Sequence, residues 1–241
     1  MFTRILRRSA VLAVVAVFAG LTPAGAEWYV SVNPQTGAPQ VLWSEPVAAL
    51  GVEAVYASRL KQGAWTPASS FVAPSYADDS LSAVTAPTGE LDVVWSTTES
   101  TGRVLLRALP DPDGEWSPEI EISDASEPSE APSIVSHGGG LWVAWQVVSP
   151  TGSRSIRCGK LEGVGNIERW LVADSPTVED PGASLHSENG HLWVDWIDST
   201  TQVGASEYVD GSWQPPVFEA YAGTDDLDAA RGRVGARVLG L

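Results

Sequence analysis

Leu141-Trp142-Val143-Ala144-Trp145 is a short run with apolar residues on both alternating faces, and the chain repeats it. Leu192-Trp193-Val194-Asp195-Trp196 and Leu91-Asp92-Val93-Val94-Trp95 are further copies, and Pro39-Gln40-Val41-Leu42-Trp43 is a worn one. The last Trp of each copy falls at 43, 95, 145 and 196, in steps of 52, 50 and 51 residues. A second landmark keeps the same order. Gly63-Ala64-Trp65-Thr66-Pro67, Gly114-Glu115-Trp116-Ser117-Pro118 and Gly211-Ser212-Trp213-Gln214-Pro215 share the pattern G-x-W-x-P. Trp170 takes the corresponding place in the third unit without the Gly or the Pro. A repeat of about fifty residues filled with short β-like runs predicts an all-β chain, a β-propeller whose units are four-stranded sheets.

The third unit shows the parts of one sheet. Ala131 to Ser136 reads as a first strand, and His137-Gly138-Gly139-Gly140 as a tight turn that uses the positive φ open to Gly. Leu141 to Trp145 is the second strand, apolar on both sides and so covered on both sides. Ser149-Pro150-Thr151-Gly152 makes a loop, Ser153 to Leu161 a third strand, and the stretch around Trp170-Leu171-Val172 a fourth. In G-x-W-x-P the Gly opens the turn from third to fourth strand, and the Pro suits an outer strand because it cannot donate to a central ladder. Asp225 to Ala229 aligns with Asp78 to Ser82, and Gly235 to Leu239 with Gly89 to Val93. The expected organisation is therefore four units at about 29–76, 77–128, 129–179 and 180–224, then a two-stranded partial unit at 225–241. Closure as four or five blades and an open ring that pairs with a second chain, giving a homo-oligomer, all fit this pattern.

Residues 1–26 read as a secretory signal peptide. Arg4, Arg7 and Arg8 form a basic start, Ala10 to Leu21 is apolar, and Ala24-Gly25-Ala26 is an A-x-A cleavage site. Arg7-Arg8 leaves the twin-arginine route open beside the general one. The expected location is outside the cytoplasm, secreted or in the periplasm or cell envelope. No later apolar run is long enough for a membrane helix, so no membrane insertion is expected after cleavage. The whole chain carries a net charge of −16, and loss of the three leader Arg leaves 11 basic against 30 acidic residues. Such a surface repels nucleic acid and suits cations or basic partners. Cys158 is the only Cys, which excludes an internal disulfide. Set in the strand-like run Arg154-Ser155-Ile156-Arg157-Cys158, it reads as a small buried residue. Stability must come from an apolar core to which eleven Trp contribute.

With these motifs the chain resembles the sialidase-like propellers built from BNR or Asp-box repeats. The succession G-x-W-x-P, acidic loop, short strand and G-x-L-x-V-x-W is common among them. The Asp-box S-x-D-x-G-x-x-W is degenerate here, closest in Asp111-Pro112-Asp113-Gly114-Glu115-Trp116 and in Val209-Asp210-Gly211-Ser212-Trp213. The resemblance implies a fold. The catalytic parts of sialidases do not carry over: the first strand after the leader, Trp28-Tyr29-Val30-Ser31-Val32, lacks the Arg of an F-R-I-P-like strand, and no motif places a Tyr–Glu nucleophile pair.

Repeat symmetry would gather the inter-unit loops around one mouth of the axis. Those loops hold Asp78 and Asp79; Asp124, Glu127 and Glu130; Asp174, Glu179 and Asp180; and Asp225, Asp226 and Asp228. The functional reading is a negative funnel for a glycan, a basic protein or a cation such as Ca²⁺. The plainer one is a solvated rim that keeps an exported protein soluble. No other cofactor is expected. Asp92 and Asp195 are the strand-borne carboxylates to examine for glycosidase chemistry, which needs two at a set spacing. Such residues more often meet a turn, a Ser or water. His137, His186 and His191 fit no zinc spacing and read as exposed turn residues. Trp142 and Trp193 suggest either a sugar-stacking pair or packing between sheets, and packing is the reading adopted here. Together these features predict a non-catalytic binding module for a glycan or protein. A glycoside hydrolase and a structural unit of an envelope assembly are the alternatives.

The leader reading has a direct check. N-terminal sequencing of the exported protein should begin at Glu27, and a start at Met1 would overturn it.

Overall fold

In each second strand, successive side chains alternate between two neighbouring sheets, and this alternation organises the molecule. A computed structural model describes residues 28–47, 52–73, 81–97, 102–110, 114–162, 166–175, 183–199 and 202–220. The first sheet runs β1 (Trp28–Val32), β2 (Pro39–Val47), β3 (Val52–Lys61) and β4 (Ala64–Trp65), with β5 (Ser69–Ala73) also on β3. The second is β6 (Ser82–Thr85), β7 (Leu91–Ser96), β8 (Val104–Leu109) and β9 (Ile120–Glu121). The third is β10 (Ser129–His137), β11 (Gly140–Val148), β12 (Arg154–Leu161) and β13 (Ile167–Ser175). The fourth is β14 (Ala183–Glu188), β15 (His191–Ser199), β16 (Gln202–Val209) and β17 (Ser212–Trp213), with β18 (Val217–Ala220) also on β16. Every pairing within these sheets is antiparallel. This is the predicted all-β architecture. The partial unit expected at 225–241 lies outside the described residues.

Odd positions of the motif face the preceding sheet and even positions the following one. Leu91, Val93 and Trp95 pack with Leu42, Val55, Ala57 and Phe71 of the first sheet. Val143 and Trp145 pack with Val94, Val104 and Leu106 of the second. Leu192, Val194 and Trp196 pack with Ala144, Ile156 and Cys158 of the third. Three apolar layers thus join four sheets in sequence order. Trp95, Trp145 and Trp196 are at most 1% exposed and sit at equivalent places in successive layers. Trp43, in the worn copy, differs: it is half-buried and stacks on Tyr56 at 5.3 Å.

The ring of Trp196 lies across β16, where a Cβ on Gly204 would come within 2.5 Å of it. Trp145 instead approaches Gly159, because Arg157 occupies the position directly opposite it on β12. A missing side chain thus makes room for the indole in both sheets.

The first strands are sheet edges, and their free backbone groups need partners. Neighbouring sheets supply them. Ser82 Oγ accepts from the Ile134 backbone N–H at 3.2 Å, and Ser133 Oγ from that of Leu185 at 3.0 Å. Ser31 and Thr85 link the first two sheets through their hydroxyls at 2.7 Å. β1, β6, β10 and β14 therefore lie side by side.

The G-x-W-x-P motif acts on the outer strand as its chemistry requires. Gln62–Gly63 and Asp210–Gly211 hold positive φ in pairs (53° and 84°, 50° and 86°), the type I′ arrangement of a two-residue hairpin. After the Trp, residues 66–68 and 214–216 leave the ladder, so the outer strand is split into β4 and β5, and into β17 and β18. Pro67 and Pro215 fall in those breaks, where no backbone donor is needed. The third unit lacks both Gly and Pro, and its outer strand β13 runs unbroken for nine residues. This also corrects the place of Trp170. It pairs with Cys158 and so faces the following sheet, where it stacks on Trp142 at 5.3 Å. Trp116 and Trp213 pack toward the preceding sheet.

One carboxylate interrupts the apolar layer between second and third sheets. Asp92 is 1% exposed, on the same face of β7 as Val94, and its Oδ2 has no hydrogen-bond partner. Burial, helped by the nearby Glu90, pushes its carboxyl up from 3.8 to about 7. The folded state therefore favours the protonated acid, and it loses stability as pH rises from the unfolded value through about 7. Asp92→Asn should be more stable than wild type at about pH 8, by as much as about 4 kcal/mol. The difference should vanish in acid, below the unfolded carboxylate value. Denaturant midpoints whose separation does not change with pH would contradict this. Trp145→Ala should cost about 3–5 kcal/mol. A midpoint close to wild type would mean that this indole does not support the layer.

Candidate functional site

At one end of the third sheet, two loops that the sequence placed at the same mouth enclose a cavity of about 240 Å³. One is the β11–β12 turn, closed by Ser149 N–H to Ser153 O at 2.8 Å and by positive φ at Gly152. Its hydroxyls associate, with Ser149 and Ser153 oxygens 2.6 Å apart. The other is the loop from β9 to β10. There Asp124 Oδ1 accepts from the Ser126 backbone N–H at 2.9 Å, and Val148 N–H donates to Pro128 O at 2.9 Å. Glu127, Ser149, Ser153, Arg154, Arg157 and Asp174 are among the lining residues.

The acids of this end are not a bare negative rim. Arg157 Nη2 donates to Glu127 Oε1 at 2.9 Å, and Arg154 lies 3.6 Å from Glu130. Asp174 sits across from Ser155 at the end of the sheet, exposed. Asp124 is also exposed, and hydrogen bonds from the Ser126 amide and hydroxyl hold its carboxyl below the usual range. Glu127 and Asp174 therefore reach one cavity, with Glu130 paired to its Arg154, while Asp124 turns into its own loop. Asp78, Asp79, Glu179, Asp180, Asp225, Asp226 and Asp228 lie outside the described residues. The two arginines are what the sequence reading missed. Both were visible in Arg154-Ser155-Ile156-Arg157, but their pairing with a loop some thirty residues upstream depends on how the sheets stack.

Asp92 and Asp195 are not brought together. Asp92 faces the third sheet from the second, whereas Asp195 lies on the far face of the fourth. The third and fourth sheets stand between them, so they cannot flank one glycosidic bond. Trp142 and Trp193 are each 2% exposed, which gives them to packing instead of an open stacking surface. Burial pushes the Cys158 thiol well up, in keeping with a small core residue.

His137 and His191 flank two-residue turns as expected, and His191 is exposed, whereas His186 lies within β14; each has a side-chain neighbour. His186 Nδ1 lies 3.4 Å from Asp195 Oδ1, and His191 Nδ1 contacts Glu207 Oε1. His137 Nδ1 is 2.9 Å from Ser187 Oγ; burial lowers its pKa, and the neighbouring His191 lowers it further. Among the described residues no three His, Cys, Asp or Glu side chains are gathered to hold a metal.

No protein-family model matches the sequence, and no curated protein matches it. Solved structures do resemble it. The Hadza microbial sialidase Hz136 superposes with a TM-score of 0.53 at 16% identity, over 79% of this chain and 46% of that one. The endo-arabinase of Bacteroides thetaiotaomicron gives 0.52 at 14% identity, over 82% and 81%. The Trypanosoma rangeli sialidase gives 0.52 at 10% identity, over 78% and 37%. The chain thus spans less than half the length of either sialidase and most of the arabinase. At these identities the likeness is one of architecture, and the chain has a sialidase-like β-propeller fold.

Proposed function

We propose that this protein is an exported propeller that binds a glycan or a protein partner without catalysis, through the loop end of its third sheet. The observation that carries this reading is the cavity of about 240 Å³ lined by Ser149, Ser153, Arg154, Arg157, Glu127 and Asp174. Hydroxyls and Arg–carboxylate pairs offer both donors and acceptors, which sugar hydroxyls and peptide groups require. Asp92 and Asp195 are separated by the third and fourth sheets, which favours a binding role over glycosidase chemistry by these two residues. A glycoside hydrolase is the second reading, because the similar structures include proteins named as sialidases and an endo-arabinase. In both readings the chain acts outside the cytoplasm, and the sheets belong to a propeller completed by 225–241 or by a second copy.

A glycan array on the purified chain, with hydrolysis followed in parallel, separates these readings. Saturable binding without cleavage is expected, weakened about tenfold or more in Arg157→Gln, which removes a charge-assisted hydrogen bond at the cavity wall. Cleavage would establish the hydrolase instead. Absence of both would leave a role in an envelope assembly.

A further inference from the structure

Taking the propeller above as given, we propose that the segment 225–241 is a two-stranded insert between the fourth and first sheets, and that its Arg237 meets the buried carboxylate of Asp195. The completing unit is then the chain's own segment and not a second copy, whatever the loop end of the third sheet binds.

Burial at the two ends of the series points to such a cover. The face of the fourth sheet turned away from the third carries Trp193, Asp195 and Ile197 of β15 and, opposite them on β16, Glu207, Ala205 and Val203. All are buried, Trp193 to 2% and Val203 to 0% exposure, and none belongs to the three apolar layers. On the first sheet, the face turned away from the second holds Val41 and Ala54, at 1% and 3% exposure and likewise outside those layers. Among the described residues no contact comparable to those between the other inner strands joins β14 back to β1, so the first and fourth sheets do not supply this cover to each other.

The cover is narrow. On the same two faces, Val217 of β18, opposite Ala205, is 37% exposed, and Val72 of β5, opposite Ala54, is 47% exposed. Where a full sheet follows, the outer strand is covered too: Phe71, next to Val72 but facing the second sheet, is 7% exposed. A cover two strands wide buries the inner strands and leaves the outer ones bare. The repeat gives 225–241 that width, and its tether has the length used elsewhere. Eight residues, 74–81, link β5 to β6, and eight, 221–228, separate Ala220 from Ala229, which aligns with Ser82.

Charge fits the same occupant. By the repeat, Arg237, Leu239 and Leu241 correspond to Leu91, Val93 and Trp95, which face the preceding sheet. In the described layers Leu42 meets Leu91, Val94 meets Leu141, and Ala144 meets Leu192. In the last layer both equivalents are ionisable and of opposite sign, Asp195 and Arg237. His186, 3.4 Å from Asp195, brings a charge only when protonated, whereas a guanidinium is charged at every working pH.

Hydrogen exchange and a double-mutant cycle on the full chain test the proposal. Amides of 229–239 should exchange about tenfold or more slowly than in an unfolded peptide, at any protein concentration. Arg237→Gln should lower the denaturant midpoint, and should lower it much less in the Asp195→Asn background, where the pair is already broken. If Asp195→Asn does not fold, Arg237→Lys, which keeps the charge, should recover most of what Arg237→Gln loses. The proposal is overturned if 229–239 exchange like an unfolded peptide, or if Arg237→Gln leaves the midpoint unchanged or costs as much without Asp195 as with it. Protection of 229–239 that disappears on dilution would assign the face to a second copy and overturn it equally.

Discussion

The whole molecule depends on burial of the second strand of each sheet from both sides. A strand such as β11, buried along nearly its full length, cannot exist alone in water, because each face would expose several large apolar side chains. It needs a sheet before it and a sheet after it. The motif Trp projects backward into the preceding sheet, and the even positions project forward, so every unit supplies half of two layers. Contacts are therefore between neighbours, and stability is shared along the series in the manner of other repeat proteins. Serine hydroxyls add direction to this packing. They satisfy the exposed edge of the next first strand and hold the four inner strands side by side.

The architecture was legible because it rests on local and periodic signals. Period-two alternation, paired turn residues and the regular spacing of Trp each follow from backbone geometry, and a single sequence displays them. The face on which Trp170 lies was not legible. Its place in the order of residues is that of Trp116 and Trp213, but without Gly and Pro the outer strand stays paired with β12, through a bulge at Val172, and the indole lies on the other side. The electrostatics of the loop end were hidden for a different reason. Acids recur in every inter-unit loop and so attract notice, whereas Arg154 and Arg157 belong to one strand of one unit. Their effect arises only when the preceding loop folds back over that strand.

Departures from the repeat mark the places where the chain departs from pure packing. The residue opposite the motif Trp is Tyr56, Leu105, Arg157 and Gly204 in successive sheets. The same backbone position thus stacks a ring, fills a core, builds a cavity wall or makes room for an indole. Asp92 and Asp195 are similar departures on the forward faces. One is sealed within a layer and burdens the fold with a carboxyl that resists ionisation. The other is buried on the far face of the fourth sheet, 3.4 Å from an imidazole. Identical backbone frames make these substitutions comparable, and their chemistry diverges with the side chains that neighbour them.

The unbroken outer strand of the third sheet has a consequence for association. In the first and fourth sheets, proline-containing breaks interrupt the outermost hydrogen-bonding edge, which leaves little continuous backbone for another chain to extend. β13 runs nine residues without a proline break, bulged only at Val172, and Leu171 at its middle is 50% exposed. A long edge of this kind can template an added strand. The flanking charges Glu168, Arg169 and Asp174 act as gatekeepers against indiscriminate pairing. A strand that added here would pass beside these charges.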